Sequence, residues 1–146
     1  MLFRSLSTFG CHLYYFDPNV KLSSFGVQRC LNLDELLRIS DVVTLHCPAL
    51  PNNKPLLSRE ELKSMKKGSW LINTARGSLI DEESLVNELK SGRLAGCALD
   101  VFSEEPYSGP LCGFDNVIAT PHIGSYARES RIAMEMEAVQ NLLKGL

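Results

Sequence analysis

The chain has 146 residues, of which 45% are hydrophobic and 22% charged, enough to bury one core of ordinary size in a globular domain. A formal net charge of −2, with no block of like charge, argues against a nucleic-acid surface. The longest apolar runs are too short to span a bilayer, which argues against a membrane partner. The five cysteines (Cys11, Cys30, Cys47, Cys97, Cys112) are odd in number and form no C-x-x-C pair. They read as reduced thiols of a cytoplasmic protein, with neither a disulfide frame nor a metal site.

Taken in order, the elements alternate. Met1 to Phe9 contain Arg and Ser and no acid, a composition shared with transit peptides. They run straight into a strand after Gly10, however, and read as the last turns of a helix. Leu13 to Phe16 is a short apolar strand ended by Asp17-Pro18. Asn32 followed by Glu35 resembles a capping box and opens a helix through Ile39. Val42 to Cys47 is the next strand, halted by Pro48. After a Pro- and Asn-rich loop, Ser58-x-x-Glu61 starts a helix that Gly68 ends. Trp70 to Ala75 is a strand, Glu82 to Ser91 a helix closed by Gly92, Leu94 to Val101 a strand, and Val117 to Thr120 another. From Ser125 a helix runs to about Leu143, with Ile132, Met136, Val139 and Leu143 along one face.

Several of these strands are continuous apolar runs rather than alternating ones, the habit of a parallel sheet covered on both faces. Strands joined by crossover helices predict right-handed βαβ units and an α/β, Rossmann-type doubly wound domain. In such folds the working groups gather beyond the C-terminal strand ends. Here those ends carry Asp17, His46-Cys47-Pro48, Thr74-Ala75-Arg76-Gly77, Asp100 and Pro121-His122.

Three blocks make the pattern specific: residues 73–81 (NTARGSLID), 96–106 (GCALDVFSEEP) and 120–124 (TPHIG). In order and spacing they resemble the signatures of the D-isomer-specific 2-hydroxyacid dehydrogenases, and the likeness covers nearly the whole chain. Pro110-Leu111-Cys112 and Phe114 to Val117 lean toward the phosphoglycerate dehydrogenase branch. The resemblance implies an NAD-dependent oxidoreductase that moves a hydride between the cofactor and a small D-2-hydroxy or 2-keto acid, 3-phosphoglycerate among the candidates. Arg76 would fork onto the substrate carboxylate, as a planar, permanently charged donor can. His122 would exchange a proton with the substrate oxygen, and Glu105 would hold the other imidazole nitrogen. Glu104 competes for that role, and counting back from Pro106 favours Glu105.

By the same resemblance Asp17 would accept the adenosine ribose hydroxyls and disfavour a 2′-phosphate, selecting NAD. Cys47, Pro48, Thr74, Ala75, Arg76, Asp100, His122 and Gly124 would line the cofactor. Asn53 stands where the family often has threonine. His12 is read as structural, and His46 as at most flanking the cofactor. The G-x-G-x-x-G loop that holds the pyrophosphate is absent from the sequence. In the family it precedes the helix whose tail Met1 to Phe9 resembles, so the first strand, the glycine loop and the front of the substrate domain are expected to be missing. The chain is then a truncated product, a mis-started reading frame or half of a split protein, with residues 1–146 a partial NAD-binding domain and the C-terminal helix packing toward the absent substrate domain.

In the order 3-2-1-4-5-6 the missing strand is central, leaving two strands on one side and three on the other. Leu13 to Phe16 and Trp70 to Ala75 should flank the gap. They would close together, recruit a strand in a homodimer or strand-exchanged assembly, or leave a water-filled cleft. A reading from a different class also stands: a non-enzymatic member acting through protein contacts, since the C-terminal-binding corepressors share this fold and much of the triad.

Overall fold

The computed structural model describes residues 2–20, 26–124 and 126–145. Met1 and Ser125, at which two predicted helices begin, lie outside the described residues.

The N-terminal segment is helical, as expected: α1 spans Leu2–Ser7 and ends in a turn at Gly10, whose φ of 70° suits glycine. Strand β1 is only Tyr14–Tyr15 and pairs in parallel with β2, Gln28–Arg29, through Gln28 N–H to Leu13 O (2.9 Å) and Cys30 N–H to Tyr15 O (2.8 Å). Asn32 caps α2 (Leu33–Ile39) by accepting the Glu35 amide at 2.8 Å. Glu35 reaches back one residue further than a capping box requires, to the Leu31 amide at 2.6 Å. Ser58 and Glu61 do form the full reciprocal box at the start of α3, Arg59–Ser64. Asp81 caps α4 (Glu82–Lys90), and Gly92 turns the chain out of it at φ 67°.

Four strands form the main sheet in the order β3 (Val42–Leu45), β4 (Trp70–Asn73), β5 (Gly96–Leu99), β6 (Val117–Ala119), all parallel. Register puts Val43, Leu71, Cys97 and Val117 in one row and Leu45, Asn73, Leu99 and Ala119 in the next on the same face. Leu37 of α2, Leu62 of α3 and Leu85 and Leu89 of α4 close over that face, and with Leu57, Met65, Leu79 and Leu111 they make the core.

Two expectations need correction. First, β3 pairs with β4, so it is Val42–Leu45, not Trp70–Asn73, that ends the four-stranded sheet. The strand beside β1 is Gln28–Arg29 instead. Among the described residues the two sheets thus hold two and four strands. Val43, Leu45 and Leu71 drive the β3–β4 pairing by sharing one buried face, whereas β2 is two exposed polar residues held by backbone pairing and the Arg29 side chain. Second, the main sheet is covered mainly on one face. On the other, Val42 is 53% exposed, Trp70 39% and Ile118 63%. The helix after β6, α5 (Arg128–Lys144), has no buried residue; Ile132, Met136, Val139 and Leu143 are all exposed. Trp70 does lie over Gly96, where a Cβ would come within 2.4 Å of the indole ring.

Among the described residues no strand joins β1 to β3. Since Leu13 and Tyr15 bond β2, and Asp41 O accepts from Trp70 N–H (2.9 Å), the backbone groups of Tyr14 and of Val42 and Thr44 point to the unpaired edges.

Candidate active site

The C-terminal strand ends carry the site residues. Beyond β1, Asp17 Oδ1 accepts the amides of Asn19 (2.8 Å) and Val20 (3.0 Å), a turn that Pro18 presets. Its backbone carbonyl accepts Arg29 Nη2 at 3.0 Å, so β2 braces the turn. Among the described residues the other carboxylate oxygen takes no hydrogen bond. Half-buried Cys47 follows β3. Burial pushes its thiol up, a backbone hydrogen bond opposes this, and the Asp17 carboxylate adds a further upward push. The two residues therefore stand within electrostatic reach across the gap between the sheets. Pro48, next to Cys47 in sequence, is exposed.

At the end of β4, fully buried Asn73 folds the next turn around its own amide. Its Oδ1 accepts the Ala75 amide (3.1 Å) and its Nδ2 donates to Arg76 O (2.9 Å). Sequence reading quoted Asn73 only as part of a motif and missed this. Thr74 and Arg76 are exposed and Ala75 half-buried; Arg76 Nη1 donates to Ala75 O at 2.6 Å. Gly77 then passes so close to the chain after β5 that a Cβ would sit 1.9 Å from the Phe102 carbonyl carbon.

The end of β5 is the most heavily bonded point. Asp100 is 8% exposed; its Oδ1 accepts the Thr120 hydroxyl (2.6 Å) and the Ile123 amide (2.9 Å), and its Oδ2 accepts the Gly124 amide (2.9 Å). Burial alone would raise this carboxyl, but those three donors and the neighbouring His122 outweigh it and hold it below the usual range. Glu105 Oε2 lies 2.8 Å from His122 Nδ1, while its Oε1 accepts the Phe102 amide at 3.1 Å. The His122 bond first, and then the Phe102 amide, keep the Glu105 carboxyl below the usual range. Glu104 makes no such contact among the described residues. His122 itself has φ 55°, the left-handed region.

Glu105 and His122 open onto a cleft of about 620 Å³ whose walls include Phe102, Tyr107, Cys112 and Tyr126. Phe102 and Tyr107 stack with centroids 4.1 Å apart, inclined by 14°. The structure thus brings together Glu105, His122, Asp100 and Gly124. Cys47, Pro48, Thr74, Ala75 and Arg76 follow strands of the same sheet and Asp17 follows β1 of the other; among the described residues none of them lines this cleft. His12 is exposed rather than packed, and exposed His46 contacts Thr44 Oγ1 at 3.0 Å.

Such an arrangement can move a proton. A carboxylate on Nδ1 orients the imidazole and leaves Nε2 for a reacting oxygen. No cluster of three or more ligating side chains suited to a metal ion occurs among the described residues. No described helix is long and apolar enough to cross a membrane.

Comparison with known proteins identifies the family. Residues 2–124 match the sequence profile described as "D-isomer specific 2-hydroxyacid dehydrogenase, NAD binding domain". The chain is 40% identical over 141 residues to D-3-phosphoglycerate dehydrogenase of Escherichia coli K12, covering 92% of this chain and 34% of that protein. It is also 40% identical over 153 residues to glyoxylate reductase of Thermofilum pendens, covering 96% and 43%. A solved structure from Thermus thermophilus superposes with a TM-score of 0.86 at 43% identity, over 96% of this chain and 44% of that one. The chain spans a third to under half the length of these relatives. By sequence profile, relatives and superposition alike, it belongs to the D-isomer-specific 2-hydroxyacid dehydrogenase family, through that family's Rossmann-type NAD-binding domain.

Proposed function

We propose that this chain supplies the proton-transfer and cofactor-binding half of an NAD-dependent oxidoreductase acting on a small D-2-hydroxy or 2-keto acid, with 3-phosphoglycerate a candidate substrate. The observation that carries this reading is the His122–Glu105 pair, 2.8 Å apart at the mouth of a cleft.

When bound, the nicotinamide would supply the acceptor or donor of the hydride. His122 Nε2 takes the hydroxyl proton in the oxidation direction and returns it to the carbonyl oxygen in reduction. Glu105, on Nδ1, keeps the ring turned toward the substrate. Arg76 leaves its bond to Ala75 O and forks onto the substrate carboxylate. The residues present suit the two ends of the cofactor. Asp17, with one carboxylate oxygen uncommitted among the described residues, suits the ribose hydroxyls. Cys47, Pro48, Thr74, Ala75, Arg76, Asp100, His122 and Gly124 suit the face along the strand ends. Reduced thiols favour a cytoplasmic setting. The exposed stripe of α5 fits packing on a substrate domain, and the unpaired edges of β1 and β3 fit a homodimer or strand-exchanged assembly.

The test joins this chain to the substrate domain and glycine loop of the E. coli relative and assays NADH-dependent reduction of 2-keto acids. His122→Ala should lower kcat about a hundredfold or more, and Arg76→Ala should damage both KM and kcat. Unchanged rates in either variant would remove the assignment and favour a role through protein contacts alone.

A further inference from the structure

His122 adopts a backbone conformation that few residues other than glycine occupy, at φ 55°. It follows Pro121, whose ring forbids one set of local bonds, and its amide turns back to Thr120 O at 3.0 Å. Something must hold this turn, and the fastenings converge on one side chain. Thr120 on one side of His122, and Ile123 and Gly124 on the other, all donate to the Asp100 carboxylate.

We propose that Asp100 and Thr120 are positioning residues, a clamp that fixes the turn on which His122 is presented to Glu105. The proposal rests on reading His122 as the proton carrier. Both ends of the clamp are built into the sheet: Asp100 N–H donates to Asn73 O (3.0 Å) and Thr120 N–H to Leu99 O (2.9 Å). A carboxylate offers about four acceptor sites. Three of these are spent inward on the His122 turn, so Asp100 is not simply a wall of the cofactor site. Gly124 belongs to the same device, because a Cβ there would come within 3.0 Å of Asp100 Oδ2 and crowd the bond its own amide makes. Without the hydroxyl of Thr120 the carboxylate loses the side-chain donor that tethers it to the N-terminal side of the histidine. The turn then relaxes and carries Nδ1 away from Glu105.

The experiment is long-range ¹⁵N–¹H spectroscopy of the histidine rings, with amide spectra, on this chain. The variants are Thr120→Val, Thr120→Ser and Asp100→Asn. In the unaltered chain His122 Nδ1 should show the signature of a proton shared with a carboxylate. Thr120→Val should remove that signature and move the Ile123 and Gly124 amide resonances, while Thr120→Ser, which keeps the hydroxyl, should retain both. Asp100→Asn, which presents an amide N–H₂ where one acceptor was, should mimic Thr120→Val. If Thr120→Val left the His122 and Gly124 signals in place, the clamp would be refuted. In the hybrid enzyme Thr120→Val should lower kcat on the order of ten- to a hundredfold with KM little changed, and Thr120→Ser should rescue it. The two readings fail separately: lost ring signatures with full turnover in both Thr120→Val and His122→Ala keep the clamp and sink the proton-carrier role.

Discussion

Gly77→Ala tests whether the two chain segments that build the site are locked together. Gly77 is buried with its backbone against that of Phe102 and Ser103: a Cβ would lie 1.9 Å from the Phe102 carbonyl carbon, 2.0 Å from its oxygen and 2.5 Å from the Ser103 nitrogen. Ordinary contact begins near 3.4 Å, so one segment must retreat by over an ångström. The obstacle is main chain, which has no rotamer to change. Overpacking of this kind costs about 1–3 kcal/mol, and more where nothing can yield. Against it stands a gain of about 0.4–1 kcal/mol from the stiffer unfolded chain. The displaced segment also carries Phe102 N–H to Glu105 and Ser103 N–H to Glu82, at 3.1 and 2.7 Å, so part of these bonds is forfeited. The expected net loss is about 2–3 kcal/mol. With a urea m-value of about 1–3 kcal/mol/M, the unfolding midpoint should fall by roughly 0.7–3 M at constant m. A change below about 0.5 kcal/mol would show that the segments slide freely and refute the reasoning.

Four further outcomes are expected. Glu105 and Asp100 both have carboxyls held below the ordinary range, so their contribution to stability is complete above about pH 4 and is lost as pH falls through the lower folded values; the Ile123 and Gly124 amide resonances should therefore move in that acid window, and their staying fixed through it would refute the assignment. Burial pushes the Cys97 thiol to about 12, so a thiol reagent should label exposed Cys11 and Cys112 in the native chain, and Cys97 only after unfolding; early labelling of Cys97 would contradict the buried sheet. Calorimetric titration of the 146-residue chain, whose sequence has no glycine loop, should find NAD binding weaker than about millimolar, and a micromolar constant would show that the strand ends alone suffice. Light scattering should report a dimer or larger assembly, because the open edges of β1 and β3 invite pairing; a monodisperse monomer would remove the exchanged-strand proposal.

What the sequence made legible follows what each element depends on. The β3, β4, β5 and β6 strands were readable as apolar runs because their burial is their cause, though each proved shorter than its run. Residues 46–47, 74–75, 94–95, 100–101 and 120 lie beyond the paired ladder, and their polarity or burial serves the site and core instead. Gln28–Arg29 was invisible because two exposed polar residues carry no periodicity; only backbone pairing to Leu13 and Tyr15 makes them a strand. With β2 unseen, Val42–Leu45 was assigned to the wrong side of the gap. The choice of Glu105 over Glu104 followed from counting to Pro106, and it is Glu105 that meets His122. The Asn73 and Thr120 contacts were not readable, since a hydrogen bond across β4 and its turn, or from β6 to β5, is a matter of register rather than of residue type.

The bonds that shape the histidine's surroundings have an unusual economy of chain. Asp100, Phe102, Glu105, Thr120, Ile123 and Gly124 all fall within residues 100–124. That stretch is anchored to its neighbours by the pairing of β6 with β5, by the Asp100 amide on Asn73 O, and by Phe102 and Leu111 in the core. The acid–base pair is therefore a portable cassette: a strand end, a loop and a returning strand end that bring their own scaffolding. Grafted at the matching strand ends of another parallel sheet, it should reproduce the Glu105–His122 geometry without help from the cofactor side. Loops elsewhere on the edge could drift in sequence to suit new substrates while the proton carrier stays where it is.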